Sequence, residues 1–223
     1  MSLPASEVGG DFFDYVWHDP RRRELCIAIG DVAGKGMRAA MAAALSSGML
    51  AAKIEAGGSL EEVLQSVNRL AYRRAGRAGQ ATRKFTAVCL ACVSSASREL
   101  VYVNAAITEP LLKSGDGVRF LSTPDPRLPL GIHEEVAYRE ERVELRPGDV
   151  LVLYTDGVPE AQSATGELYG YDALRRRLAS LPAEQMSSRE ILQALLADVR
   201  DFSDGCCPQQ DDMTMVAVKA EAA

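Results

Sequence analysis

"CIAIGDVAGKGMRAAM" spans Cys26 to Met41. Its opening is apolar up to Ile29, Asp31 ends the run, and glycines at 30, 34 and 36 break the chain before an Ala-rich segment. A short apolar run that meets such a break reads as a buried strand, and the segment after it reads as a helix. A bare carboxylate at the tip of a buried strand does nothing for packing. Its purpose has to be sought in the rest of the chain.

Strand patterns recur at 12–17, 24–30, 85–93, 99–105, 137–145, 149–155 and 213–219. Turns such as "SSASR" and "RPGD" join several of them directly, which predicts antiparallel hairpins rather than strand–helix–strand crossovers. Helical patterns come in two pairs, 37–56 with 59–75 and 171–181 with 187–202. Ser59 with Glu62, and Ser187 with Glu190, have capping-box spacing. Leu60, Val63, Leu64, Val67, Leu70 and Ala71 form one apolar stripe, and a helix apolar on one side must cover something. The expected fold class is therefore an α/β (α+β) sandwich: two central, mainly antiparallel sheets flanked by helix pairs, in the layer order α-β-β-α. Segment 122–136 reads as a Pro-rich ordered loop, and 159–170 as a polar excursion.

The chain has 223 residues, 47% hydrophobic and 25% charged, which suits one soluble domain over 1–223. A net charge of −6 supplies no electrostatic footprint for nucleic acid, and Arg175, Arg176 and Arg177 read as a solvated helix face. No stretch approaches the ~18 consecutive apolar residues of a membrane span, and the N-terminus lacks a signal pattern. The expected location is the cytoplasm. Five cysteines in such a chain do not suggest a disulfide framework. Cys89 and Cys92 lie in one strand, where a three-residue offset sends them to opposite faces, so core packing is expected rather than a metal-binding pair. Cys206 and Cys207 stand in a polar loop, and a redox or zinc role there is a minor alternative.

Asp31 has counterparts. Asp156 ends "DVLVLYTDG" in the same way, Asp11 precedes a strand in "VGGDFFD", and Asp211 and Asp212 precede "MTMVAVK". One Asp before a Gly is an ordinary turn residue, so only the repetition points to a site, and spacing alone does not bring these positions together. Clustered carboxylates repel unless protonated or bridged by cations, and oxygen donors favour Mg²⁺ or Mn²⁺ over zinc. Two such ions about 3.5–4 Å apart would activate a water for in-line attack on phosphorus. Rival motifs fail. Only three residues separate Gly30 from Gly34, and Gly36 stands where a P-loop needs Ser or Thr. Tyr154 occupies the place of an aspartyl nucleophile. With only His18 and His133, in loops, a histidine-based triad has little to work with.

"LPASEVGGDFFDY", "IAIGDVAGKGMRAAM", "LYTDGVPEA" followed by "GELYG", and "QQDDMTMVAVK" occur in an order that resembles PPM-type metal-dependent protein phosphatases of the bacterial stage II sporulation protein E and RsbU branch. The resemblance covers essentially the whole chain. It implies paired antiparallel sheets flanked by helices, a two-ion Mg²⁺ or Mn²⁺ centre at one sheet edge, and serine/threonine phosphatase activity. By that match Asp31 bridges both metals, the backbone carbonyl of Val32 binds the second, and Asp156 and Asp211 bind the first. Asp11 matches an acidic position that orients water or ligates directly. Asp211 is preferred to Asp212. Gly30, Gly34 and Gly36 are expected to let the loop turn tightly beneath the site.

Two departures stand out. Ala106 and Ile107 replace a usual Gly-His pair after "VYVNA". Val32 and Ala33 follow the bridging position, where eukaryotic relatives have a histidine proposed as general acid, so the leaving group would take its proton from water. The resemblance also implies a catalytic domain excised from a longer regulatory protein, with an upstream sensor or helical linker and a phosphorylated signalling protein, such as an anti-sigma-factor antagonist, as substrate. Helices 37–75 are read first as ordinary core packing, and otherwise as a candidate face for that linker or for a second copy of the chain in a homodimer. The alternative functions are a catalytically silent binding module of the same fold and a small-molecule phosphatase.

Overall fold

The computed structural model describes residues 1–221 apart from Pro20, 79–83, Asp116 and 204–208, with backbone only at 75–78. Cys206 and Cys207 thus lie outside the described residues. The described chain forms ten strands and four helices: β1 (Ser2–Leu3), β2 (Asp11–Trp17), β3 (Glu24–Val32), α1 (Met37–Glu55), α2 (Leu60–Ala78), β4 (Thr86–Ser94), β5 (Glu99–Ala105), β6 (Leu111–Ser114), β7 (Gly117–Phe120), β8 (Glu140–Glu144), β9 (Val150–Tyr154), α3 (Tyr171–Ser180), α4 (Ser188–Phe202) and β10 (Met213–Lys219). They make two antiparallel five-stranded sheets, ordered β2-β3-β4-β5-β8 and β1-β10-β9-β6-β7. The α+β architecture with its helix pairs follows the reading of the sequence.

The chain divides into two compact units. The first, Glu7–Ile107 with Ser122–Glu144, carries the β2–β5 and β8 sheet and helices α1 and α2. Leu50 and Ile54 of α1 and Val63, Leu64 and Val67 of α2 pack with Val16, Ala28, Leu90 and Val103 of the sheet. Ile27 and Ile29, on the opposite face of β3, are buried as well, which is why this strand reads as an unbroken apolar run instead of an alternating one. The capping box at the start of α2 is present, with the Glu62 amide donating to Ser59 Oγ at 3.2 Å and the Ser59 amide donating to Glu62 Oε2 at 3.0 Å. The expected stripe needs one correction, since Leu70 is 43% exposed. The inward position beside it belongs to buried Asn68, whose amide group donates to the carbonyls of His133 and Glu134 and accepts from the Gly131 amide. These bonds order the loop anticipated at 122–136.

The second unit, Met1–Ser6 with Thr108–Leu121 and Leu145–Ala223, carries the other sheet and helices α3 and α4. Leu174 and Leu178 of α3 and Ile191, Leu195 and Val199 of α4 pack with Leu111, Val150, Val152 and Met215. Ser187 caps α4 in a complete capping box with Glu190. Strands β1, β6 and β7 were not read from sequence, because runs of two to four residues that include Lys113 and Arg119 carry too little alternation.

The cysteines differ from expectation. Cys89 and Cys92 do point to opposite faces, but Cys92 lies directly across from Cys26 in the β3–β4 ladder and the two are joined as a disulfide. Sequence spacing could not show this, since the pair is set by strand register over a separation of 66 residues.

Leu195 is fully buried in the α3–α4 core. Leu195→Ala should therefore destabilise the chain by about 2–5 kcal/mol, read as a lower urea midpoint with unchanged slope.

Candidate metal centre

In the first unit Asp11 opens β2 and Asp31 stands one residue from the end of β3, and the antiparallel register sets them directly opposite one another. Like charges in that relation repel. The next pair in the register is Phe12 with Gly30. A Cβ on Gly30 would run into the Phe12 ring and stand 2.9 Å from the Ala87 carbonyl oxygen, so Gly30 is there to admit the aromatic ring. This corrects the expectation that Gly30 forms part of the turn. The turn is made by Gly34 and Gly36, with φ of 108° and 71°.

Val32 donates its amide to the Gly10 carbonyl at 3.2 Å. A Cβ on Gly10 would lie 2.7 Å from the Val32 carbonyl oxygen and 3.3 Å from that of Gly34. Gly10 thus keeps a cradle open around the carbonyl assigned as a ligand. Lys84 Nζ donates to the Ala33 carbonyl at 2.7 Å and holds the same loop. Sequence reading missed this residue, because a lone Lys before a strand carries no motif.

In the second unit Asp156 follows β9. The Thr155 amide donates to the Thr214 carbonyl at 3.0 Å, and the Thr214 amide donates to Thr155 Oγ1 at 3.0 Å, so the end of β9 is locked to the start of β10. A Cβ on Gly157 would collide with the Asp212 carbonyl oxygen; only glycine allows the two segments this close. Asp212 is buried, and its Oδ1 accepts the Ala5 amide at 2.7 Å. Its own amide donates to Asp211 Oδ1 at 3.0 Å. Asp212 is thereby committed to anchoring the N-terminal segment, while Asp211 is only half-buried, which favours Asp211 as the ligand of the two.

Burial, and then the charge of Asp211, raise the Asp156 carboxyl above its ordinary value. Glu160 is raised by burial and then by Asp156 and Asp211, so it faces the same pair. The sequence reading did not single it out, although its place four residues after Asp156 in "TDGVPE" was a usable signal. The structure therefore brings Asp11 to Asp31 in one unit and Asp156 to Asp211 in the other. These carboxylates and the Val32 carbonyl are all hard oxygen donors, a set that suits Mg²⁺ or Mn²⁺.

The raised Asp156 has a consequence for stability. A carboxyl whose folded pKa lies above its unfolded one disfavours the ionised fold, so the metal-free protein loses stability as pH rises through that folded pKa. At neutral pH and in chelator, Asp156→Asn should raise the melting temperature by about 2 °C and remove the further rise that Mn²⁺ gives the parent. A lower melting temperature in chelator would contradict this.

Comparison with known proteins follows the same lines. Residues 21–221 match the family model of Stage II sporulation protein E (SpoIIE). Protein IcfG of Synechocystis is 26% identical over 96% of this chain and 36% of its own length. Phosphoserine phosphatase RsbU of Bacillus subtilis is 25% identical over 98% of this chain and 62% of its own. The chain thus spans between about a third and three fifths of these curated relatives. The solved SiaA-PP2C domain of Pseudomonas aeruginosa superposes with a TM-score of 0.82 at 26% identity, covering 99% of this chain and 85% of that one. With nearly its whole length matched to one family model, the chain belongs to the Stage II sporulation protein E (SpoIIE) family.

Proposed function

We propose that this chain is a Mg²⁺- or Mn²⁺-dependent protein phosphatase that hydrolyses phosphoserine or phosphothreonine on a signalling protein, in the cytoplasm. The observation that carries this reading is the opposed pair Asp11 and Asp31 beside a Val32 carbonyl that Gly10 leaves open. An arrangement that concentrates negative charge at a strand end is useful where cations are bound. Asp31 and the Val32 carbonyl, with Asp156 and Asp211, would hold the ions. When bound, the ions neutralise the carboxylates and supply an activated water for in-line attack on phosphorus.

The chain's own groups do the rest. Asp11 would orient the water or ligate an ion directly. Lys84 keeps the Asp31–Gly34 loop in place through the Ala33 carbonyl. Glu160 faces Asp156 and Asp211 and serves as a further acceptor beside them. Val32 and Ala33 offer no acid for the leaving oxygen, whose proton then comes from water. RsbX, solved in complex with magnesium, has the same fold at a TM-score of 0.67 and 15% identity.

RsbU is named a phosphoserine phosphatase, which supports a phosphoprotein such as an anti-sigma-factor antagonist as substrate. The greater length of the relatives supports reading 1–223 as one catalytic domain joined to a sensor or helical linker. Met37, Met41 and Leu45 are 64%, 67% and 46% exposed along one side of α1, which supports a helical partner there, from such a linker or from a second copy.

The purified chain should hydrolyse an aryl phosphate only with Mn²⁺ or Mg²⁺, and a phosphoserine peptide in preference to a sugar phosphate. Asp31→Ala and Asp156→Ala should each lower the rate by about 100-fold or more while the circular dichroism stays unchanged. A folded chain inactive with every metal would point instead to a silent binding module. A rate unchanged in Asp31→Ala would remove that residue from the centre.

A further inference from the structure

The end of the first sheet away from Asp11 and Asp31 carries a different set of donor atoms. The register that opposes those two aspartates also sets Val16 against Cys26, and the His18 amide then donates to the Glu24 carbonyl. One strand further on, Cys26 faces Cys92. A ring nitrogen of His18 and the two sulfurs lie within 4.8 Å of one another. Glu24 Oε2 lies 3.0 Å from His18 Nδ1. Cys26 is fully buried, Cys92 is 7% exposed, and the group borders a cleft of about 210 Å³ lined in part by Cys92, Glu99, Glu140 and Arg142, which gives an ion a way in.

The histidine ring decides what this group is for. Nε2 stands 2.9 Å from the Gly58 carbonyl oxygen, which only accepts, so Nε2 carries the hydrogen and donates. In a neutral ring Nδ1 then turns its lone pair toward a carboxylate oxygen. Two acceptors at 3.0 Å require a cation between them, either a proton or a metal. A metal-bound histidine commonly passes its other N–H to a backbone carbonyl, the role Gly58 fills here. With two cysteine sulfurs alongside, the donor set is that of zinc and not of magnesium or manganese.

We propose that Cys26, Cys92, His18 Nδ1 and Glu24 form a Zn²⁺ site in the dithiol form of the chain. The disulfide present here is the oxidised form of the same pair. A thiol or phosphine reductant supplies two electrons, the S–S bond breaks, two protons complete the thiols, and zinc displaces both protons to leave two thiolate ligands. The site is chemically and spatially separate from the carboxylates, since Cys26 and Asp31 are five residues apart on β3, about 17 Å. Its effect is to tie β2, β3 and β4 together beneath the α1–α2 turn at Gly58.

The test uses the full chain with Cys206 and Cys207 changed to Ser, reduced with a phosphine and titrated anaerobically with Co²⁺. The expected result is a thiolate-to-cobalt charge-transfer band that saturates at one ion per chain and disappears on adding Zn²⁺. A carboxylate centre cannot produce that band. His18→Ala should weaken cobalt binding by roughly 10–100-fold, and Cys92→Ser should abolish the band. Cys89→Ser should leave it intact, because that buried thiol, pushed up to about 12, lies on the other face of β4. Should Cys92→Ser fail to fold, His18→Ala and Glu24→Gln carry the test from the edge of the cleft. Absence of the band in the reduced, folded chain, or a band unaffected by His18→Ala, would overturn the proposal.

Discussion

Like charges held opposite one another cost free energy, and this fold holds Asp11 and Asp31 so at one end of the β2–β3 ladder. Asp11 and Asp31 are cross-strand partners, and Asp156 is raised by burial and by Asp211. Like charges paired across a ladder are unfavourable in themselves. They persist because the strands behind them are fixed by packing: β3 is buried on both faces, and every residue of β9 is buried. The glycines belong to the same logic. Gly10, Gly30 and Gly157 each stand where a side chain would strike a neighbouring carbonyl or ring, so the backbone can come close at the places where the carboxylates meet. Cations compensate for such repulsion, which is the physical content of the proposed centre.

Much of this was legible in the sequence. Strands 99–105 and 213–219 and the helix starts after Ser59 and Ser187 are set by local pattern and capping chemistry, and they fall where the pattern puts them. The candidate carboxylates were visible as strand ends followed by glycine or a polar turn. What the sequence could not give was register. That Asp11 stands opposite Asp31, and Cys26 opposite Cys92, follows from how strands slide against one another, and a shift of one residue would undo both. Gly30 was misread for the same reason: the turn explains Gly34 and Gly36, but only the β2–β3 pairing reveals Phe12 over Gly30. Leu70 was misplaced because the apolar stripe of α2 gives way at that point to Asn68, whose bonds to a distant loop no local pattern announces.

The departures from the family pattern have structural counterparts. Ala106, at the place where the resemblance leads one to expect glycine, has a left-handed backbone with φ of 66°, a conformation that costs a residue bearing a Cβ about 1–2 kcal/mol. The loop is held by buried Asn104, which donates to the Ile107 carbonyl and accepts from its amide, both at 3.0 Å. The loop thus takes its left-handed turn at a residue that bears a Cβ.

The central claim is that the acidic residues assigned to the proposed centre hold two divalent ions. Electron paramagnetic resonance of the chain loaded with two equivalents of Mn²⁺ addresses it most directly. The account predicts the spectrum of an exchange-coupled manganese pair, and its loss in Asp31→Ala. Two independent six-line signals of uncoupled Mn²⁺, the same in parent and variant, would contradict it.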